Sequence, residues 1–304
     1  MHPALSVIIF TTLSGFGYGL AAMLGLLQPD PALAAVKIGH VLAFVAIAGG
    51  LVSSTLHLGN PQRAWRAFSQ WRSSWLSREG VLAVLTFVPL TAQTGFAVLF
   101  DLSFGWLGFL VAVMAAITVY ATSMIYASLK TVHAWHNPVT NTCYLLFALS
   151  GGLLALATLN AFNGLEASLI VLTIVALAAA FMAKTAWYRA LDQESGPSTP
   201  ESATGLGFLG KARLLEPPHM GENYLTREMG FKVARKHAQK LRLLSYVLGL
   251  ILPVLLLLIM AASGMVFFGL AALISHLAGV LTERWLFFAE AKHAVSVYYG
   301  ADRA

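Results

Sequence analysis

Long uncharged stretches alternate with short polar ones over most of this chain. A helix needs ~20 mostly apolar residues to cross a bilayer. Residues 1–29, 38–62, 80–100, 102–129, the apolar part of 131–165 and 167–183 each supply one such stretch. The composition then changes, and residues 189–241 are charged and carry Pro, Gly and Ser. Residues 243–282 are free of charge again, long enough for two helices with a turn at Ser263-Gly264. The pattern predicts an all-α integral membrane protein, a bundle of eight transmembrane helices with one long loop. It divides into helices one to six (1–188), the loop (189–241), and helices seven and eight with a tail (242–304). The first stretch lacks a basic lead and is too long for a signal peptide, so it reads as the first span.

Composition strengthens this reading. The chain is 58% hydrophobic and 11% charged, against about 25% charged in ordinary soluble proteins. Only lipid can cover that much apolar surface. The net charge of +6 then speaks to topology rather than to nucleic acid, for which no motif is present. Arg63, Arg66, Arg72, Arg78, Lys130, Arg303 and the basic residues of the long loop fall on one face, and the other face has little beyond Lys37. The excess of Lys and Arg marks the cytoplasmic side. Both termini and the long loop are therefore expected in the cytoplasm, with the chain in the bacterial inner membrane. The one cysteine, Cys143, excludes an internal disulfide and an iron–sulfur cluster held by this chain. Its simplest reading is a small buried apolar residue, and no metal site is expected.

Candidate chemistry gathers at the basic rim. His57 closes helix two, and Glu79 opens helix three with Ser77 as a prospective N-cap. An ionisable group at or inside a membrane is a functional candidate because its burial is costly. Imidazole titrates near neutral pH, and burial pushes a carboxylate up toward it. Together they suit a quinone, whose reduction takes two electrons and two protons, and Arg63 would hold a carbonyl oxygen. The competing reading is interfacial anchoring by arginines and by Trp65, Trp71 and Trp75. His133 and His136 follow Tyr126 and share a helical face if helix four continues. Glu283 and Arg284 are adjacent and do not face each other. They would pair with other helices, or Arg284 would snorkel. Haem b would need two facing ligands. His40, His57, His133, His136, His276 and His293 are candidates, no spacing selects a pair, and haem is not favoured. The segment TREMGFKVARKHAQKLRLLSY reads as a basic helix capped by Thr226, facing lipid headgroups or docking a soluble partner.

The segment LHLGNPQRAWRAFSQWRSSWLSREG resembles the membrane anchor subunits of dimethyl-sulfoxide-reductase-type molybdoenzymes. Their comparable segment reads His-Leu-Gly-x-Pro-x-Arg-Ala, with a glutamate opening the next helix. Here these are His57, Leu58, Gly59, Pro61, Arg63, Ala64 and Glu79. Tyr126 with TVHAW at 131–135, and AGVLTERWLFF at 278–288, extend the resemblance. It implies an anchor that holds a molybdopterin catalytic subunit and a four-cluster iron–sulfur subunit at the membrane. Such an anchor exchanges electrons between the nearest cluster and ubiquinone or menaquinone. The clusters and the molybdenum cofactor then belong to the partners, and haem is absent. His57 and Glu79 become the proton-handling pair, with Arg63 and Tyr126 at the same quinone pocket. Arg66, Arg72, Arg227, Lys232 and Arg235 become partner-docking residues. The core PPHMGENYLTREMGFKVARKHAQKLR and the start MHPALSVIIFTTLSG look more like anchors of cytoplasmic sulfite-oxidising complexes, which implies electrons passing from sulfite to quinone. The alternatives are a quinol-oxidising anchor of a dimethyl-sulfoxide-type reductase, a haem b cytochrome subunit, a transporter, and a purely structural anchor.

Overall fold

The computed structural model describes residues 4–56, 60–193, 198–216, 218, 221 and 237–303. Among these, eight helices are long and apolar enough to span a membrane. They are α1 (Leu5–Leu27), α2 (Ala34–Thr55), α3 (Trp75–Phe100), α4 (Gly105–Ala127), α5 (Val139–Asn160), α6 (Ala167–Gln193), α7 (Ala238–Ser263) and α8 (Val266–Ala289). The protein is a multi-pass membrane protein.

Several boundaries differ from expectation, each for a physical reason. Helix α3 begins at Trp75, and its N-cap is Ser74, whose hydroxyl accepts from the Ser77 N–H at 3.5 Å. Glu79 therefore lies one turn inside the helix and is buried, rather than opening it. Helix α6 runs past Lys184 to Gln193 because that lysine is paired inside the bundle. Helix α4 stops at Ala127, and turns follow up to Pro138. His133 and His136 thus share no helical face, and Val132, Ala134 and Trp135 are the buried residues of that connection. The proposed helical end of the long loop lies mostly outside the described residues.

Helix α7 is interrupted by a π turn at Val247–Ile251. Pro253 has no N–H, so the Gly249 carbonyl one turn earlier has no helical donor. The Leu252 N–H reaches back to the Val247 carbonyl, which frees the Leu248 carbonyl as well. Side chains of α8 take both: Ser275 Oγ donates to Leu248 O at 2.7 Å, and His276 Nδ1 lies 2.7 Å from Gly249 O.

Helix α1 is the hub, packed against α2, α4, α5 and α8. Small residues allow the close approaches, as membrane helices require. A Cβ on Gly108 would strike the Gly25 backbone, and one on Gly152 would strike Gly19. Gly108→Leu is expected to destabilise the bundle by about 3 kcal/mol. The check is the fraction of detergent-solubilised protein that elutes as a monodisperse species.

Cross-links tie one face together. Ser53 at the end of α2 donates to Ser6 O, the tail bonds Ala294 N–H to Thr131 O, and Tyr298 reaches Ala203 O. This face carries residues 60–74, 128–138 and 290–303, and with them Arg63, Arg66, Arg72, Lys130, Lys292 and Arg303. On the opposite face Lys37 is neutralised by Asp101 at 2.5 Å.

Candidate functional site

Between α2 and α3 the chain forms a 3-10 strap, Pro61–Gln70. It is fastened to the start of α3. Arg78 donates to the Trp71 and Arg72 carbonyls at 3.0 and 2.7 Å, Ser77 Oγ donates to Ala67 O, and Phe68 lies over Gly80. Arg63, Trp65 and Arg66 are exposed along the strap, and Trp71 and Arg72 are exposed in the turn that follows it. This is the arrangement of an interfacial segment, with charge and indole rings both available to headgroups or a partner.

Beneath the strap, polar side chains converge in an apolar setting. Thr122 of α4 donates to Glu79 Oε1 at 2.6 Å. Glu79 is 5% exposed and Tyr126, one turn beyond Thr122, is 8% exposed. The Tyr126 ring stacks on Tyr144 at 5.9 Å and meets Trp135, Phe287 and Phe288 edge-on at 5.3, 5.5 and 5.3 Å. Trp135 Nε1 donates to Phe287 O at 2.9 Å. The connection after α4 and the end of α8 thereby close one side of the site.

Three charges lie deeper still. Lys184 Nζ is 2.6 Å from Glu283 Oε1, and Arg284 Nε is 3.5 Å from Glu283 Oε2. All three are at most 3% exposed. Two cations thus face one carboxylate, and a positive charge is left over. The Tyr144 ring lies 3.7 Å under the Arg284 guanidinium, and the Trp187 ring 3.4 Å from Lys184 Nζ. These ring faces offset part of that charge. Arg284 also lines a narrow cleft with Thr12, Thr122, Tyr144 and His276, between α1, α4, α5 and α8. Near the surface, Arg242 joins the ends of α6 and α8 through Asp192 at 2.6 Å and Glu290 at 2.7 Å.

The sequence candidates separate accordingly. Glu79 and Tyr126 are brought together at the basic-face ends of α3 and α4, and Arg63 sits exposed on the strap above them. His57, Arg227, Lys232 and Arg235 lie outside the described residues. Arg284 does not snorkel: it is buried, and Glu283 pairs with α6 as well as with its neighbour. Lys184, Thr122 and Tyr144 were not singled out by sequence reasoning. The signal for Lys184 was an isolated lysine that would otherwise end an apolar run. Of the remaining histidines, His40 is buried in α2, and His136 Nδ1 lies 2.6 Å from the Ala127 carbonyl. His293 caps the short helix Ala294–Tyr299 by accepting from the Val295 N–H at 3.0 Å, and burial holds its imidazole below the usual range. Cys143 is a buried free thiol.

Comparison with known proteins gives the architecture a family. The model of the DMSO reductase anchor subunit (DmsC) family matches residues 1–290. The chain is also 32% identical to a sulfite dehydrogenase subunit of Allochromatium vinosum. That alignment runs over 327 positions and covers 98% of this chain and 99% of the relative. With the match running from the first membrane helix through the last, this chain belongs to the DMSO reductase anchor subunit family.

Proposed function

We propose that this chain is the membrane anchor and quinone-reactive subunit of a molybdoenzyme complex, passing electrons from sulfite oxidation in its partners to membrane quinone. The reading places it in the bacterial inner membrane with both termini cytoplasmic. The relative's name supports sulfite as the electron source. The observation that carries the quinone reading is Glu79, buried at the helix ends of the basic face and bonded to Thr122. Burying a carboxyl there costs stability, which marks it as a functional candidate. Quinone chemistry exchanges protons as well as electrons, and a group able to hold a proton inside the bilayer meets that need.

Each residue then has a role. Glu79 takes or gives one proton, with Thr122 orienting its carboxyl. His57 handles the second at the rim. Tyr126 walls the site with its aromatic neighbours. Arg63 lies toward the quinone or the partner's cluster, and the excess charge at Arg284 favours an electron-rich oxygen nearby. The quinone, ubiquinone or menaquinone, is the substrate here. Iron–sulfur clusters and the molybdenum cofactor reside in the four-cluster and molybdopterin partner subunits, because one buried cysteine cannot hold such clusters. Arg66 on the strap and Arg72 just after it, with Arg227, Lys232 and Arg235 of the long loop, form the dock for those partners.

His57→Gln in the intact complex tests this reading. Copurification and dye-linked sulfite oxidation should persist. Quinone-linked rates should fall about 10–100-fold, at or below the low end for a positioned proton-transfer group because rim water can stand in. An unchanged quinone-linked rate would remove His57 from the site.

A further inference from the structure

Helix α3 carries Glu79, Thr86 and Gln93 at intervals of seven residues, two turns each, so the three share one face. All three are buried, on a helix of which only 28% of the most apolar stretch is buried. Helix α4 meets them with Thr118 and Thr122, one turn apart and also buried. Thr122 donates to Glu79 Oε1 at 2.6 Å, and the Thr86 and Thr118 hydroxyls lie 3.0 Å apart. Further along, Gln93 Nε2 donates to the Ala21 carbonyl of α1 at 3.3 Å. Gln93 Oε1 and the buried Tyr18 hydroxyl have no hydrogen-bond partner among the described residues. Tyr18 stands one turn nearer the basic face than Ala21, and it lines a groove with Ala115 and Val119, on either side of Thr118 along α4. Its hydroxyl thus falls in the interval between the Thr86–Thr118 contact and Gln93.

The polar line reaches the other face. Gln93 shares a small pocket with His40 of α2, Gln28 and Ser103. Gln28 and Ser103 belong to the connections on the face where Lys37 meets Asp101. About 10 Å³ is free in that pocket, about the space of one water. From Glu79 to Gln93 the α3 backbone rises about 21 Å, against a hydrocarbon core of about 30 Å. Polar side chains inside a span are costly, and such lines mark ion and proton routes.

We infer that this seam is a proton path between Glu79 and the face opposite the basic rim, entered at the His40–Gln93 pocket. The inference rests on the quinone reading above and names the side from which Glu79 is recharged. A hydroxyl accepts one proton while it gives up another, so Thr86, Thr118, Thr122 and Tyr18 pass the proton along, with water bridging the remaining gaps. For each proton that Glu79 gives to a quinone oxygen, its carboxylate regains one from the opposite face. No electron moves along the seam, since electrons enter from the partner subunits at the basic face. Each proton taken up this way therefore carries one positive charge inward from the opposite face.

The test uses the intact purified complex in liposomes that enclose a pH indicator, with potassium and valinomycin to cancel the membrane potential. Sulfite is added outside, so only complexes with the basic face outward turn over, and decyl-ubiquinone is the acceptor. The interior is expected to lose about one proton per decyl-ubiquinone reduced, the share that passes through Glu79. Thr86→Val keeps the side-chain shape, and Gln93→Leu keeps most of the volume. Together they are expected to bring the interior loss to the level seen without sulfite. Should the double variant not assemble, Thr86→Val alone is read the same way. If the wild type reduces decyl-ubiquinone and the interior loses no proton, the inference is overturned while the quinone reading stands. It is overturned equally if the variant draws interior protons as the wild type does. A wild-type complex that supports dye-linked sulfite oxidation but does not reduce decyl-ubiquinone overturns both.

Discussion

Glu79→Gln is expected to lower quinone-linked sulfite oxidation by about 100-fold or more, the range for a positioned acid–base group. Glutamine has the same shape, and its amide oxygen can still accept from Thr122 at the 2.6 Å position. Packing under the strap should therefore survive, and copurification with the partners should be unaffected. The measurement is the ratio of quinone-linked to dye-linked rates in membranes. A residue that merely braces α3 against α4 would leave that ratio unchanged. Glu79→Asp keeps the proton-holding group but retracts it, so it should fall between the two.

The second large effect is on stability. Glu283→Gln leaves Lys184 and Arg284 facing a neutral amide in the bundle interior. Breaking a buried ion pair in this way costs about 3–5 kcal/mol, because the remaining charge is uncompensated. The expected readout is a marked drop in the temperature of half-aggregation in detergent, with reduced yield of the assembled complex. The double variant Lys184→Met with Glu283→Leu removes one cation together with the carboxylate and should recover part of the loss, because Arg284 still lacks its partner. No recovery at all would contradict the Lys184–Glu283 pair as a source of the loss.

Much of the fold was legible because lipid imposes a simple rule on the chain. Backbone groups must be satisfied within each segment, so spans read directly as apolar runs. All eight were visible that way, as was the turn at Ser263-Gly264, where Gly264 takes a φ of 71°. Helix ends were less legible where a charge lay inside a span. Lys184 and Glu283 each looked like a terminus, and only the partner across the bundle shows that they are interior. Ser77 looked like the cap because it precedes Glu79 closely, yet Ser74 holds that place.

The site was legible where it followed a local motif and hidden where it depended on distant contacts. Glu79 and Tyr126 stand out in sequence, one as a carboxylate at the opening of an apolar run and one beside the polar 131–138 segment. Tyr144 and Thr122 do not, since hydroxyls are common in membrane helices. His276 was visible as a mid-membrane imidazole. Its orientation follows from Pro253, on another helix, which withdraws a donor from Gly249 and leaves the carbonyl to the imidazole. No periodicity within α8 could reveal that.

The most direct measurement is sulfite-dependent reduction of decyl-ubiquinone by the purified complex in liposomes, with and without this chain, each normalised to dye-linked sulfite oxidation. With the chain present, quinone reduction should proceed, and without it the partner subunits should reduce dye but not quinone. Quinone reduction at an equal normalised rate by the partners alone, or a complete complex that reduces dye and not quinone, would contradict the assignment of the quinone site to this subunit.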